Sequence, residues 1–529
     1  MRAFRLGVDV GGTNTDAVLM SERSVIASCK TATTFDVASG IVHAIEEVLA
    51  GASVQSEHIA AVTIGTTQFT NAFVERNKLN SIGVVRLGAP YTTAVPPLYD
   101  WPAELLDCVG RNVDVIRGGY EFDGREIAPL DESALRDVTR RYRDIGVRSV
   151  AVSCTFAPVN DAMERRAEQI IVEELPGAQV SLSSEFGRMG IIERENATAM
   201  NASLVGLAAT VVGAFRRALK QLKIDAPLYL SQNDGTLMTA EQVERRPVLT
   251  FASGPTNSMR GAAYLSGVED AVIVDIGGTT SDVGYLVHAF PRESAVAVDI
   301  GGVRTNFRMP DLVSIGLGGG SVVELTQPPK VGPQSVGYEL TRKARCFGGQ
   351  VLTATDIAVA AGYAQLGEPS KLADLDPALL EGAVEEIHRK LEDAIDRIKT
   401  NRGDVPLVLV GGGSILVSRK LRGVSKVHVP EHSAVANAVG AAIAQVGGEI
   451  DTYFDYQSQG RDAALAAAKH DACRRALEAG ADADTLRIVE VEETPLAYLP
   501  GQTVRVRVKA IGDLADEAAR SAEPESIPR

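Results

Sequence analysis

The chain has 529 residues, 53 basic and 68 acidic, for a net charge of -15, and is 45% hydrophobic but only 5% aromatic. That length exceeds what one core holds, the acidic surface opposes nonspecific binding to nucleic acid or anionic lipid, and the aliphatic core suits buried sheets covered by helices. Five scattered cysteines without a Cys-x-x-Cys pair argue against a disulfide framework or zinc knuckle and fit a reducing cytosol.

The chain enters a strand directly after Met1, without a signal segment or an apolar run of about 18 residues, so a soluble cytoplasmic protein is expected. Periodicity then predicts a strand over 4–10, a tight turn, a second strand, a third over 24–28, a helix over 38–49, a strand over 61–64, a helix to residue 76 and a strand over 82–86. Residues 88–131 are rich in Pro, Gly and Tyr and read as an insertion of loops and short strands. A helix over 132–145, a strand over 149–156, a helix over 161–175 and a long apolar helix over 191–222 follow. The pattern restarts at 271 with a strand, turn and strand. A strand over 295–300, a glycine turn over 316–321, helices over 354–363 and 379–399, a strand over 407–410, the turn GGGS and a helix over 434–446 come next. Beyond 448 the chain is polar, with a helix over 463–479, strands over 486–492 and 502–508, and a charged tail over 512–529 expected to fray.

The restart is a near copy: DVGGTNTD at 9–16 and DIGGTTSD at 275–282, each after a branched apolar run. Glycine lets backbone N–H groups approach an anion closely, and Thr and Asn add donors. One such hairpin is explained by a tight turn alone. Two in register point to a nucleotide held between them, with Gly11, Gly12, Thr13, Asn14, Gly277, Gly278, Thr279 and Thr280 as phosphate donors. Asp9 and Asp275 are the candidates to order Mg²⁺ or its water. Asp16 and Asp282 either join the site or brace the hairpins, and the residues favour neither.

Gly411, Gly412, Gly413 and Ser414 leave a strand toward a helix, which suits an adenosine contact; a packing turn is the plainer alternative. In GTTQFTNAFVER, Thr66, Thr67 and Asn71 stand where a helix start attracts an anion or polar substrate, or simply caps. No Gly-Lys-Ser/Thr, His-Glu-x-x-His or Gly-x-Ser-x-Gly occurs, and the third glycine of a dinucleotide fingerprint is missing. His428 and His432 are separated by Pro430 and do not share a helix face.

These motifs, with SLSSE at 181–185, ERENAT at 193–198, SGPTNSMRGA at 253–262, GLGGGS at 316–321 and TATDIAVAAG at 353–362, resemble the hydantoinase/oxoprolinase family: hydantoinase A subunits, 5-oxoprolinase and the acetone carboxylase β subunit. The resemblance covers about 4–448. It implies an α/β fold of duplicated actin-like, hexokinase-like (ribonuclease H-like) ATPase domains around a nucleotide cleft: an N-terminal actin-like domain over 1–180, a second over 181–450 and a short extension over 451–529. It implies ATP and Mg²⁺, and phosphorylation of the carbonyl oxygen of a cyclic amide, imide or ketone for ring opening. Asp9 and Asp275 would organise Mg²⁺ and water, while Thr66, Thr67 and Asn71 would face the substrate. A hydantoinase B-type partner in an oligomeric complex is expected, since the chain stops where fused oxoprolinases continue. A small-molecule kinase and a noncatalytic ATP-gated clamp are the alternatives. The chain departs from the family at Met163, where members carry His before Glu164, and over 335–349, SVGYELTRKARCFGG. Together with the short C-terminal region, these departures mark a short-form branch.

Overall fold

Strands Phe4–Val10 and Asn14–Ser21 form the first hairpin, and Ser24–Ala32 continues the antiparallel run. On the other side of Phe4–Val10 lie two parallel neighbours, Ile59–Thr66 and then Leu228–Ser231. The computed structural model describes residues 4–11, 14–22, 24–32, 37–186, 189–294, 297–496 and 502–515. The expected frayed tail lies largely outside the described residues, which end at 515.

The second half repeats this order. Ala271–Ile276 pairs antiparallel with Ser281–Val287, which pairs antiparallel with Leu312–Ile315, and on the far side Val405–Val410 and then Val424–His428 run parallel. Both sheets therefore have the same five-strand core: two antiparallel strands, the strand entering the hairpin, then two parallel strands. The duplication read from two octapeptides extends to whole sheets.

The first sheet is buried on both faces. Leu6, Val8 and Val10 share a core with Ile41 and Ile45 of helix Val37–Ala52 and with Ala199 and Ala202 of helix Ile191–Gln221. Val18 and Met20 pack instead against Val439 and Ala442 of helix Ala436–Ala442. Two-sided burial explains why these strands read as continuous apolar runs rather than alternating ones. Helix Ile191–Gln221 is the only described helix long and apolar enough to cross a membrane, and most of its apolar stretch lies inside this core.

Several sequence expectations change. The helix expected over 434–446 ends at Ala442, and strand Gln445–Asp455 takes over, pairing parallel with Thr236–Thr239 and antiparallel with Thr503–Gly512. Small residues allow either conformation, and the ladder partners decide it. Strand Arg487–Pro495 adds an outer edge, so residues 445–512 return to the first sheet. Residues 88–131 hold helix Ala103–Val109 and strand Asn112–Arg117 of a separate, parallel, four-stranded sheet. The strand expected over 295–300 is only Val298–Ile300, and residues 295–296 lie outside the described residues.

Candidate active site

The two hairpins turn by the same hydrogen bond. Gly11 N–H donates to Asn14 O at 3.0 Å, and Gly277 N–H donates to Thr280 O at 2.9 Å. In both, the first aspartate lies opposite the last across the ladder, Asp9 with Asp16 and Asp275 with Asp282. Gly12 and Thr13 lie outside the described residues. Thr279 and Thr280 are exposed at the second turn, and Gly278 has open space where a side chain would be.

The correspondence extends to the neighbouring parallel strand. Asp9 is level with Gly65, and a Cβ on Gly65 would overlap Asp9 Oδ1 far inside van der Waals contact. Asp275 is level with Val410, and a Cβ on the next residue, Gly411, would overlap Asp275 Oδ1 in the same way. Each carboxylate thus lies over bare backbone at the end of a strand. Gly411 has φ +83°, a conformation that also favours glycine. Gly413 packs on Ile276, while Gly412 faces open space and Ser414 begins a short turn with its N–H toward Gly411 O at 3.3 Å.

Helix Ser253–Ser266 reaches both aspartates through consecutive residues. Asn257 Nδ2 lies 2.5 Å from the point a Gly65 Cβ would occupy, beside Asp9 Oδ1, and the hydroxyl of Ser258 donates to Asp275 Oδ2. Asn437, on helix Ala436–Ala442, donates to Asp9 Oδ2 at 2.8 Å. Lys30 reaches across the first hairpin to Asp16 Oδ2 at 2.8 Å. At the second hairpin, Ser314 donates to Asp282.

Burial governs the electrostatics. It pushes the Asp9 carboxyl up to about 7, helped by the charge of Asp16 and opposed by the Asn437 hydrogen bond. Burial likewise takes Asp275 to about 6 against the Ser258 hydrogen bond, and raises Asp282. Asp275 itself contributes to raising Asp9, so carboxylates from the two halves feel each other. A cation arriving here replaces this mutual repulsion with attraction.

The donor set fits a hydrated divalent cation. Carboxylate oxygens are hard ligands, and the buried Asp9 Oδ1 has no hydrogen-bond partner among the described residues. Among the described residues no group of three or more His, Cys, Asp and Glu could hold a metal ion. A cation here would keep most of its waters and rest on one or two carboxylates, as Mg²⁺ does when it arrives with phosphates.

Thr66 is buried and tied to the same helix: its N–H meets Ser253 Oγ at 3.3 Å, and Ser253 Oγ–H donates to Thr66 O at 3.1 Å. Thr67 precedes helix Gln68–Val74, and its methyl would be 3.3 Å from a Cβ on Gly254. Asn71 is exposed and donates to Thr67 Oγ1 at 3.4 Å. Thr66 is thus one residue past Gly65 and level with Val10, while Thr67 and Asn71 follow along the chain.

The turn Gly316–Gly320 backs the second hairpin: Gly319 and Gly320 N–H donate to Gly277 and Gly278 O at 3.0 and 2.7 Å. The departing segment 335–349 touches that hairpin as well, through Ser335 Oγ–H to Gly278 O at 3.3 Å. Met163 accepts from Gly119 N–H at 3.1 Å, and the adjacent Glu164 is buried against Ser183 and Ser184 N–H.

Asn257, Ser258, Asn437 and Lys30 were not singled out from the sequence. A signal existed for the first two, since polar Ser, Thr and Asn at 253–258 open a helix that is otherwise small and apolar. For Asn437 and Lys30 the partner is remote in sequence or across a strand pair.

Comparison with known proteins matches these features. Residues 5–175 match the family model described as hydantoinase/oxoprolinase N-terminal region, and residues 194–374 match the one described as hydantoinase/oxoprolinase. The chain is 25% identical over 470 residues to caprolactamase subunit alpha of Pseudomonas jessenii, covering 83% of this chain and 65% of that one. It is 26% identical over 390 residues to the acetophenone carboxylase gamma subunit of Aromatoleum aromaticum, covering 68% and 53%. It thus spans between about half and two thirds of these relatives. The crystal structure of ATP-dependent caprolactamase from Pseudomonas jessenii superposes with a TM-score of 0.76 at 20% identity, over 97% of this chain and 88% of that one. That likeness establishes the fold, in keeping with the duplicated actin-like halves expected from the hairpins.

Proposed function

Because this chain belongs to the hydantoinase/oxoprolinase family, we propose that it uses Mg·ATP to phosphorylate the carbonyl oxygen of a cyclic amide or imide, activating the ring for opening. The observation that carries this reading is the matched pair of aspartates over glycine, one from each half, joined by a single helix. Two anion-gripping turns that converge in this way suit a polyphosphate better than any neutral ligand.

The chemistry needs such a site. Amide resonance makes the carbonyl carbon a poor electrophile. Attack of the carbonyl oxygen on the γ-phosphorus, with departure of ADP, leaves an imidate phosphate whose carbon accepts water. Collapse of that adduct breaks the C–N bond and leaves an acyl phosphate, which a second water hydrolyses. Phosphoryl transfer asks the protein mainly for position and charge neutralisation. The turns at Gly11–Asn14 and Gly277–Thr280 would supply backbone donors, and Gly411–Ser414 room for the nucleoside. Asp9 and Asp275 would hold the hydrated Mg²⁺, whose charge offsets that of the phosphates. Thr66, with Thr67 and Asn71 further out, would line the acceptor side.

The relatives named as subunits support a multi-subunit enzyme, and a hydantoinase B-type chain is the partner proposed here. Their names cover both a lactam and a ketone, so the acceptor class is the finer part of the proposal. Phosphate release from ATP, measured with hydantoins, 5-oxoproline, caprolactam and simple ketones, with and without a B-type chain, tests it. Release that depends on a cyclic amide and yields a ring-opened product supports the reading. A stable phosphorylated product would convert it to a kinase, and ATP turnover indifferent to all these compounds would end it.

A further inference from the structure

Asn257 carries a polar group that the fold does not use. It is 1% exposed, yet neither Oδ1 nor Nδ2 has a hydrogen-bond partner among the described residues. Its neighbour over the Gly65 backbone, Asp9 Oδ1, is also buried without a partner among the described residues. A buried amide with nothing to bond destabilises a fold, so evolution ordinarily replaces or satisfies it. Here two such groups from separate elements meet over the backbone of Gly65, where a Cβ would overlap both Asp9 Oδ1 and Asn257 Nδ2. The residue after Asn257 is already bonded to Asp275, so the helix register that aims Ser258 at one carboxylate aims Asn257 at the other. Asp9 Oδ2 is occupied by Asn437, which leaves Oδ1 as the oxygen turned toward Asn257.

We infer that Asn257 is a positioning residue for the divalent cation that accompanies the nucleotide: its amide, with Asp9 Oδ1, would bond the cation's water shell. The inference rests on the nucleotide reading given above. It assigns Asn257 a role in cation affinity rather than in folding, and those two roles leave opposite signatures.

The test compares Asn257→Leu, which keeps the volume and removes the polar atoms, with Asn257→Asp, which keeps an oxygen in place. Mn²⁺ binding in the presence of ADP is followed by electron paramagnetic resonance of the free ion, and unfolding of the unliganded proteins is followed thermally. Asn257→Leu is expected to weaken Mn²⁺ binding by about 10-fold or more, the range seen when groups that orient a metal's ligands are removed. Its unliganded Tm should equal or exceed that of the wild type. Asn257→Asp should retain Mn²⁺ binding to within about threefold. Wild-type affinity in Asn257→Leu would overturn the inference and leave the nucleotide reading intact. A fall in Tm matching the loss of binding would also overturn it, by making Asn257 structural. Absence of ADP-dependent Mn²⁺ uptake in the wild type would remove the nucleotide reading itself.

Discussion

Asp9→Asn should make the unliganded protein more stable near neutral pH, although it removes a carboxylate placed at the centre of the site. The carboxyl stands at 3.8 in an unfolded chain and is raised to about 7 in the fold, chiefly by burial. Between those values the folded protein holds a proton that the unfolded chain has released, so stability falls as pH rises, by about 1.4 kcal/mol per pH unit. From pH 5 to pH 7 the wild type should lose roughly 2 kcal/mol through this residue, the slope flattening as the folded carboxyl itself titrates near 7, a loss Asp9→Asn cannot suffer because its amide does not titrate. Weakening of the bond from Asn437 costs the variant about 1 kcal/mol, the same at both pH values. Urea unfolding can be followed by the fluorescence of Trp101, the single tryptophan, which is buried and donates to Asn196 Oδ1 at 2.8 Å. The stability difference between variant and wild type should widen by roughly 2 kcal/mol between pH 5 and pH 7. Parallel curves would refute the argument. Mg²⁺ with ADP should stabilise the wild type more than the variant, since a ligand stabilises only the state that binds it.

Ser258→Ala should raise the Asp275 carboxyl above its present value of about 6, because the hydroxyl bond opposes burial. The acidic limb of the pH profile for phosphate release should move upward by about one pH unit, the equivalent of losing one charge-assisted hydrogen bond. Gly65→Ala and Gly411→Ala should each reduce ATP turnover by about 100-fold through displacement of a carboxylate, whereas Gly412→Ala, which meets open space, should leave unfolding unchanged within about 0.5 kcal/mol. Glu195→Gln should cost about 3 kcal/mol in urea unfolding, since it strips the charge from a buried pair in which Arg86 Nε and Nη2 donate at 2.8 and 2.5 Å.

What the sequence made legible was local. A Gly-Gly turn between branched runs announces itself within eight residues, and repetition of the octapeptide announces two halves. Asp9 and Asp275 stood out because each opens the repeated octapeptide. Sheet membership did not follow, because pairing of Gln445–Asp455 with Thr236–Thr239 and Thr503–Gly512 depends on segments far along the chain. The overlong end of the helix expected over 434–446 has the same origin: it stops at Ala442, and ladder partners take the chain into a strand from Gln445. Asn437 escaped notice because its partner is Asp9, at the opposite end of the sequence.

The precision of the site comes from the absence of side chains more than from their presence. Helix Ser253–Ser266 crosses helix Ala436–Ala442 with Gly261 against Ala436 O and Gly440 against Asn257 O, so tightly that a Cβ at either glycine would overlap backbone. Gly7, on the strand leading to Asp9, lies against Ala438 O in the same manner. These contacts leave the two helices and the first strand little freedom to slide, because backbone, unlike a long side chain, cannot rotate away. Asn437 and Asn257 reach Asp9 from these two helices, and Ser258 reaches Asp275 from one of them. A shift at the crossing therefore changes the surroundings of both carboxylates together. Side-chain chemistry at Asp9 and Asp275 is thus set by a junction of backbone against backbone, and its glycines are constrained for the geometry they permit.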